Sequence, residues 1–417
     1  MRILHAVESY LPQVHGMSEV VRQLSERLVS WGHEVVVATS KDEKRTGKSI
    51  NGVVIKEFDI SGNLVRGIWG AAKEYEHYLL ESQFDVVVFF AAQQWSADLA
   101  LPILNQIHGK KVFVPTGFSG FYQKEYVYYF EQMKTWLKDF DRAVFLSNDY
   151  RDINFARQIH FNKISLIPNG ADEREFSREG GSELREKLGI GPDELLIITV
   201  GSHTGKKGHK EAIEIFKKIK SDRAVTFIIV GNLPITGTGV QKLVKWGKEL
   251  VKKVIRYQGG GECRDYCEKQ KKVFADQNPN KRLLVQQLSR TETVEAYFAA
   301  DLFLFPSNIE CSPIVLFESA AAGTPFFVTD VGNSKEIVEW TGGGIVLPTD
   351  FNQEGLSYAR IDESADLLSS YLHEPAKLKS LGSRGRIAWE SKFSWEKITR
   401  DYESLYNNLI STENVIN

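Results

Sequence analysis

The densest set of chemically able groups in the chain is Asn308-Ile309-Glu310-Cys311-Ser312-Pro313-Ile314-Val315-Leu316-Phe317-Glu318. A carboxylate accepts two hydroxyl hydrogen bonds, so Glu310 and Glu318 suit the diols of a sugar or a ribose. Pro313 fits the first turn of a helix. The amides of Ile314, Val315 and Leu316 at that helix start can meet a diphosphate. The same spacing also suits a loop cap and a solvated helix acid, and the segment alone leaves both open. A second cluster is Gly201-Ser202-His203-Thr204-Gly205-Lys206-Lys207-Gly208-His209. Its glycines admit a phosphate to the backbone and its lysines neutralise one. It is not a Walker A loop: the glycine spacing is one short and no Ser or Thr follows the lysine pair. It reads as another phosphate loop or a plain turn. Gly16, within Leu11–Glu19, lacks the three-glycine dinucleotide fingerprint, which disfavours a nicotinamide oxidoreductase.

These segments need elements to hold them. Ile3–Val7, Glu34–Ala38, Asp85–Phe90, Lys111–Val114, Arg142–Leu146 and Ile164–Ile167 read as strands. A second series runs through Leu195–Val200, Val225–Val230, Leu283–Gln287, Leu302–Phe305, Phe326–Val328 and Ile345–Leu347. Continuous apolar runs separated by amphipathic helices imply parallel sheets covered on both faces. Gly16 opens one such helix, with Val20, Val21, Leu24 and Leu28 at helical spacing. The polar stretch 172–192 reads as a linker. Each cluster then falls at the carboxyl end of a strand, where open α/β sheets bind ligands.

The 417 residues fit two domains, and 42% hydrophobic with 25% charged residues is a globular composition. A formal net charge of −2 excludes a general polycation, so no nucleic-acid partner is expected. The three cysteines, Cys263, Cys267 and Cys311, argue for a reducing compartment. Cys263 and Cys267 lie one helical turn apart. With neither a Cys-x-x-Cys spacing nor a second pair, they read as two free thiols on one helix face, and no metal is expected. The N-terminus is too short and polar for a signal peptide and no apolar run spans a bilayer, so a cytoplasmic location is expected. The insertion 236–282 carries Val240, Leu243, Val244, Leu250, Val251, Val254 and Ile255 opposite Lys242, Lys245, Lys248, Lys252, Lys253 and Arg256. Such a helix over 240–256 can lie on an anionic membrane or hold a polyanionic acceptor, or simply cover its own domain.

Together these pieces resemble the retaining glycosyltransferases of family four. Glu310 and Glu318 match that family's two glutamates separated by seven residues. Ile167-Pro168-Asn169-Gly170-Ala171-Asp172 matches its turn leaving the first domain. Ala322-Gly323-Thr324-Pro325, Thr329-Asp330-Val331-Gly332 and Phe393-Ser394-Trp395 match later segments in the right order. The resemblance implies the GT-B architecture: two doubly wound Rossmann-like α/β domains facing a cleft. The acceptor domain spans 1–175 and is completed by a returning helix at 395–413; the donor domain spans 190–393. It further implies a metal-independent transfer of a sugar from a UDP- or GDP-sugar to a glycan or lipid-linked acceptor in surface polysaccharide or glycolipid synthesis, with no cofactor. Glu310 would hold donor-sugar hydroxyls, Glu318 the ribose, and Lys207 the phosphates, with Gly16 and Gly201 beside them. Leu288 and Asn232 would lie near the base. His15, Phe118 and Asn148 would face the acceptor.

Two positions depart from the pattern. Ser202 stands where an arginine usually pairs with the diphosphate, leaving Lys206 or His203 as substitutes. Thr116 stands where many members have an active-site histidine. These departures favour the alternative of a non-catalytic nucleotide-sugar-binding scaffold; a further alternative, another GT-B enzyme such as an epimerase, lacks the paired glutamates together with the Pro-Asn-Gly turn.

Overall fold

The structure is a computed structural model that describes residues 1–177, 180–231, 261–277 and 280–411. The chain forms two compact units: residues 1–173 with 311–317 and 390–417, and residues 174–310 with 318–389.

The first unit is built on an eight-stranded sheet. Its strands are β1 (Arg2–Ala6), β2 (Glu34–Ser40), β3 (Ser49–Ile50), β4 (Val53–Phe58), β7 (Val86–Phe90), β8 (Lys110–Val114), β9 (Arg142–Phe145) and β10 (Ile164–Leu166). They lie in the order β10-β9-β8-β7-β1-β2-β4-β3, while β5 (Ile60–Asn63) and β6 (Gly67–Gly70) form a separate hairpin. Every pairing in the large sheet is parallel except β3 with β4. Successive side chains of a strand point to opposite faces, and here both faces are buried. Ile3, Val35, Val37, Val86, Val88 and Phe90 pack against Val20, Val21, Leu24 and Leu28 of the helix Gly16–Ser30. Leu4, Ala6, Val36, Val87 and Phe89 pack on the other side with Trp95 and Tyr75. Two-sided burial is why the core strands read as unbroken apolar runs. β4 escapes such a reading because its sequence, Val-Val-Ile-Lys-Glu-Phe, alternates between buried and more open positions. The hairpin and β3 are similarly short and mixed.

The returning helix Trp395–Ser411 places Trp395, Ile398, Tyr402 and Tyr406 in this first core. The Pro-Asn-Gly turn makes that return possible. A Cβ on Gly170 would lie 2.4 Å from the Phe393 carbonyl, so only glycine admits the approach. Ala171 donates to that carbonyl at 3.0 Å and accepts from the Trp395 amide at 3.1 Å. Asn169 donates to the Ser312 carbonyl at 2.9 Å, and Asp172 accepts from buried Arg27 at 2.9 Å.

The second unit carries six parallel strands: β11 (Leu195–Val200), β12 (Val225–Val230), β13 (Lys281–Gln286), β14 (Leu302–Phe305), β15 (Phe326–Val328) and β16 (Gly344–Val346). Their order is β13-β12-β11-β14-β15-β16. An antiparallel pair, β17 (Thr349–Phe351) with β18 (Ser357–Ala359), stands apart. Helix Gly261–Gln277 enters the core beside helix His209–Lys218, with Phe274 stacked on Phe216 at 5.2 Å. The amphipathic stretch expected over 240–256 lies outside the described residues, as does Asn232. Among the described residues no helix is long and apolar enough to cross a membrane.

Candidate functional site

Strand order locates the site in the second unit. From β11 the chain moves outward to β12 and β13, then crosses back to β14 and outward again. The order therefore reverses between β11 and β14, and ligands of open α/β sheets bind at such a reversal, beyond the carboxyl ends. The Gly201–Gly208 loop follows β11 and the Pro306–Glu310 loop follows β14. They are fastened to each other. The Asn308 amide donates to the Lys206 carbonyl at 3.0 Å and the Ser307 hydroxyl donates to the same oxygen at 3.2 Å. Gly208 has φ +68°, and a Cβ there would sit 1.8 Å from the Pro306 carbonyl. That crossing requires glycine.

Across this crossing, Lys207 Nζ contacts Glu310 Oε1 at 2.6 Å, and the Ser307 hydroxyl donates to the same oxygen at 2.8 Å. The Glu310 side chain is 11% exposed and that of Lys207 29%, so the pair is sheltered yet reachable from solvent. Ser202 and the Lys206 side chain are exposed beside it. His203, by contrast, is 0% exposed and turned into the core beside Cys263. It cannot replace the arginine that Ser202 lacks; Lys206 alone keeps that option.

Helix Ile314–Ala322 carries Glu318, which is 5% exposed. Sequence reasoning missed its partner: Arg290, at the start of helix Arg290–Ala299, reaches Glu318 Oε1 at 2.7 Å. Arg290 also bonds Glu175. A capping box at Ser289 and Glu292 fixes where that helix begins. It was the one available signal for Arg290, because capping places the residue in the first turn. Leu288 lies half-buried just before it. Of the three helix-start amides, that of Leu316 is engaged by the Pro313 carbonyl at 3.2 Å.

In the first unit the order reverses between β1 and β7. His15 and Gly16 stand in the turn after β1, with Ser9 bonded to His15 and Ser18 accepting from its amide at 2.9 Å. Among the described residues, no atom beyond its chain neighbours and its own helix backbone lies within 4 Å of a Cβ built on Gly16, and its φ is not left-handed. The loops after β7 and β8 are strained: Ala91, Gln93, Thr116 and Phe118 have φ of 62°, 63°, 57° and 49°. Left-handed non-glycine residues persist only where their surroundings hold them. Here Asp152 accepts from the Gly117 amide at 2.8 Å, and Gln93 Oε1 accepts from the Gly120 amide at 3.0 Å. Burial pushes the Asp152 carboxyl up to about 6. Phe118 is corrected by the structure: its ring is 1% exposed and packs on Phe130 and Phe155. It shapes the loop from beneath rather than facing a ligand. Asn148 is exposed, with Arg157 donating to its side-chain oxygen at 2.7 Å.

Comparison with known proteins agrees with this geometry. Residues 181–386 match the family described as Glycosyl transferases group 1, and residues 14–175 match Glycosyltransferase Family 4. The alpha-monoglucosyldiacylglycerol synthase of Streptococcus pneumoniae is 22% identical over 352 residues, covering 78% of this chain and 70% of that protein. Two solved structures share the fold. Sucrose-phosphate synthase from Thermosynechococcus elongatus has a TM-score of 0.72 at 18% identity, covering 99% of both chains. Anabaena HepE in complex with UDP-glucose has a TM-score of 0.67 at 15% identity, covering 98% of this chain and 100% of that one. The two parallel-sheet units, their carboxyl-end loops and these matches together place the chain in the family-four glycosyltransferases, with the GT-B fold.

Proposed function

We propose that the chain is a retaining hexosyltransferase that uses a UDP- or GDP-sugar. The observation that carries the reading is the Lys207–Glu310 contact at the β11/β14 reversal, with Glu318 on the helix that follows. Lys207 takes the diphosphate, and its charge stabilises the anion that grows there as the sugar departs. Glu310, released from Lys207, accepts hydroxyls of the donor sugar. Glu318 keeps Arg290 on one oxygen and uses its remaining lone pairs for the ribose diol. The bond from the anomeric carbon to the phosphate oxygen breaks. The acceptor oxygen bonds that carbon on the same face, and its proton passes to the departing phosphate oxygen.

The diacylglycerol-linked product named for the Streptococcus relative supports a glycolipid or other lipid-linked glycan as acceptor. The Lys/Arg-rich stretch 240–256 supports work at the inner face of the plasma membrane, on the cytoplasmic side. Sedimentation with anionic vesicles tests the membrane part: the intact chain should pellet with them, and a protein that stays in the supernatant contradicts it.

Incubation with a panel of nucleotide sugars tests the activity. One donor should lose its nucleotide slowly to water and faster with acceptor, and proton NMR of the product should show the donor's anomeric configuration. Tight binding without turnover would instead mark the chain as a scaffold, the reading that Ser202 and Thr116 favour.

A further inference from the structure

We propose that His203, His209, Cys263 and Cys267 form a zinc site. The donors come from two parts of the second unit. His203 lies in the loop after β11 and His209 opens the helix His209–Lys218. Cys263 and Cys267 lie one turn apart on helix Gly261–Gln277, so both thiols face the same way. The sequence reading looked for a second pair of cysteines, whereas here the other two donors are histidines.

The four donor groups lie close enough together to share one ion. One donor atom from each residue lies within 4.8 Å of all the others. Cys263 Sγ is 3.5 Å from His209 Nδ1 and 3.8 Å from His203 Nδ1. Zinc–sulfur and zinc–nitrogen bonds of ordinary length at a tetrahedral angle put sulfur and nitrogen about 3.6 Å apart. The four residues are 0%, 2%, 4% and 0% exposed, and the two rings meet edge to face at 4.8 Å. Ligation through Nδ1 puts the ring proton on Nε2, and among the described residues neither Nε2 has a hydrogen-bond partner. Two imidazoles and two thiols without a carboxylate make a poor polar core on their own, since buried polar groups are costly unless satisfied. They make a good ligand set for zinc, which takes mixed nitrogen and sulfur donors.

Four protein ligands close the coordination sphere, so the ion would be structural and take no part in sugar transfer. Both thiols release their protons to solvent as the ion binds. The consequence is mechanical. Because His203 and His209 bracket Lys207, the metal would pin the loop carrying Lys207 to a helix of the insertion. This inference stands on its own and does not require the transferase reading.

Elemental analysis of the chain purified without chelator or metal-affinity resin tests it. Zinc should be present at about one equivalent per chain. Replacement by cobalt should give the visible bands of a tetrahedral site with thiolate-to-cobalt charge transfer. The double variant Cys263→Ser with Cys267→Ser should lose both metal and cobalt spectrum, while Cys311→Ala keeps them. Should the double variant fail to fold, thiol titration of the folded wild type decides instead. Two thiols should be blocked until a strong chelator is added, and then react. Three outcomes would overturn the proposal: wild type that takes up no zinc when supplied, a double variant that binds it undiminished, or a Cys263–Cys267 disulfide in protein kept under reducing conditions.

Discussion

Lys207 and Glu310 neutralise each other at 2.6 Å, which sets what each substitution should do. Lys207→Ala removes the cation facing the departing diphosphate and should lower kcat by about 10²–10³-fold. Glu310→Ala should spare binding of the bare nucleotide diphosphate and reduce transfer, because its partner in the account is the sugar. Calorimetry and steady-state rates separate the two, and loss of nucleotide binding in Glu310→Ala would reverse the assignment. Gly16 makes a sharper case. Among the described residues neither its backbone nor a neighbouring atom requires glycine, so Gly16→Ala should change stability by no more than about 1 kcal/mol. If a ligand approaches the backbone there, as the family resemblance implies, donor KM should still rise. Unchanged kinetics would remove Gly16 from the site.

At the scale of elements, the Gly208 crossing and the Thr116–Phe118 loop hold the tightest backbone geometry at the strand ends. Gly208→Ala forces a side chain into a left-handed residue and against the Pro306 carbonyl. It should cost more than about 2 kcal/mol in denaturant unfolding and disturb Lys207 as well. Asp152, under the strained Thr116–Phe118 loop, gives a pH signature. Its folded carboxyl is raised from 3.8 to about 6 by burial, so the fold favours the protonated form. That contribution is full below about pH 4 and is lost as pH rises towards 6. Asp152→Asn keeps an acceptor for the Gly117 amide without the charge. Its stability relative to wild type should therefore improve between pH 4.5 and 7, and an unchanged difference would contradict the burial argument. The main strands and the Gly16 helix were legible because two-sided burial writes itself as continuous apolar runs. β4, the hairpin and the β17–β18 pair were not, since short or half-exposed strands alternate or mix their residues. Of the candidate residues, Glu310, Glu318 and Lys207 could be placed from strand-end position and family spacing. Arg290 could not, because the capping box fixes only where its helix begins, while an ion pair between two helices leaves no local pattern. The His203, His209, Cys263 and Cys267 cluster was hidden for the same reason: more than fifty positions separate its halves, and only helix packing joins them.

For the whole molecule, two doubly wound units each present a reversal of strand order, the kind of place where open α/β sheets bind ligands. The second unit's reversal is the more sharply defined. In the second unit Lys207 and Glu310 meet at a loop crossing that Gly208 shapes, and Glu318 pairs with Arg290 nearby in the chain's next helix. A crystal structure of the chain with a bound nucleotide diphosphate tests that claim most directly. The phosphates should lie at Lys207 and the β11 loop and the ribose diol on Glu318, with the Lys207–Glu310 contact lengthened or broken. A nucleotide lodged elsewhere, with that contact intact and Glu318 untouched, would contradict it.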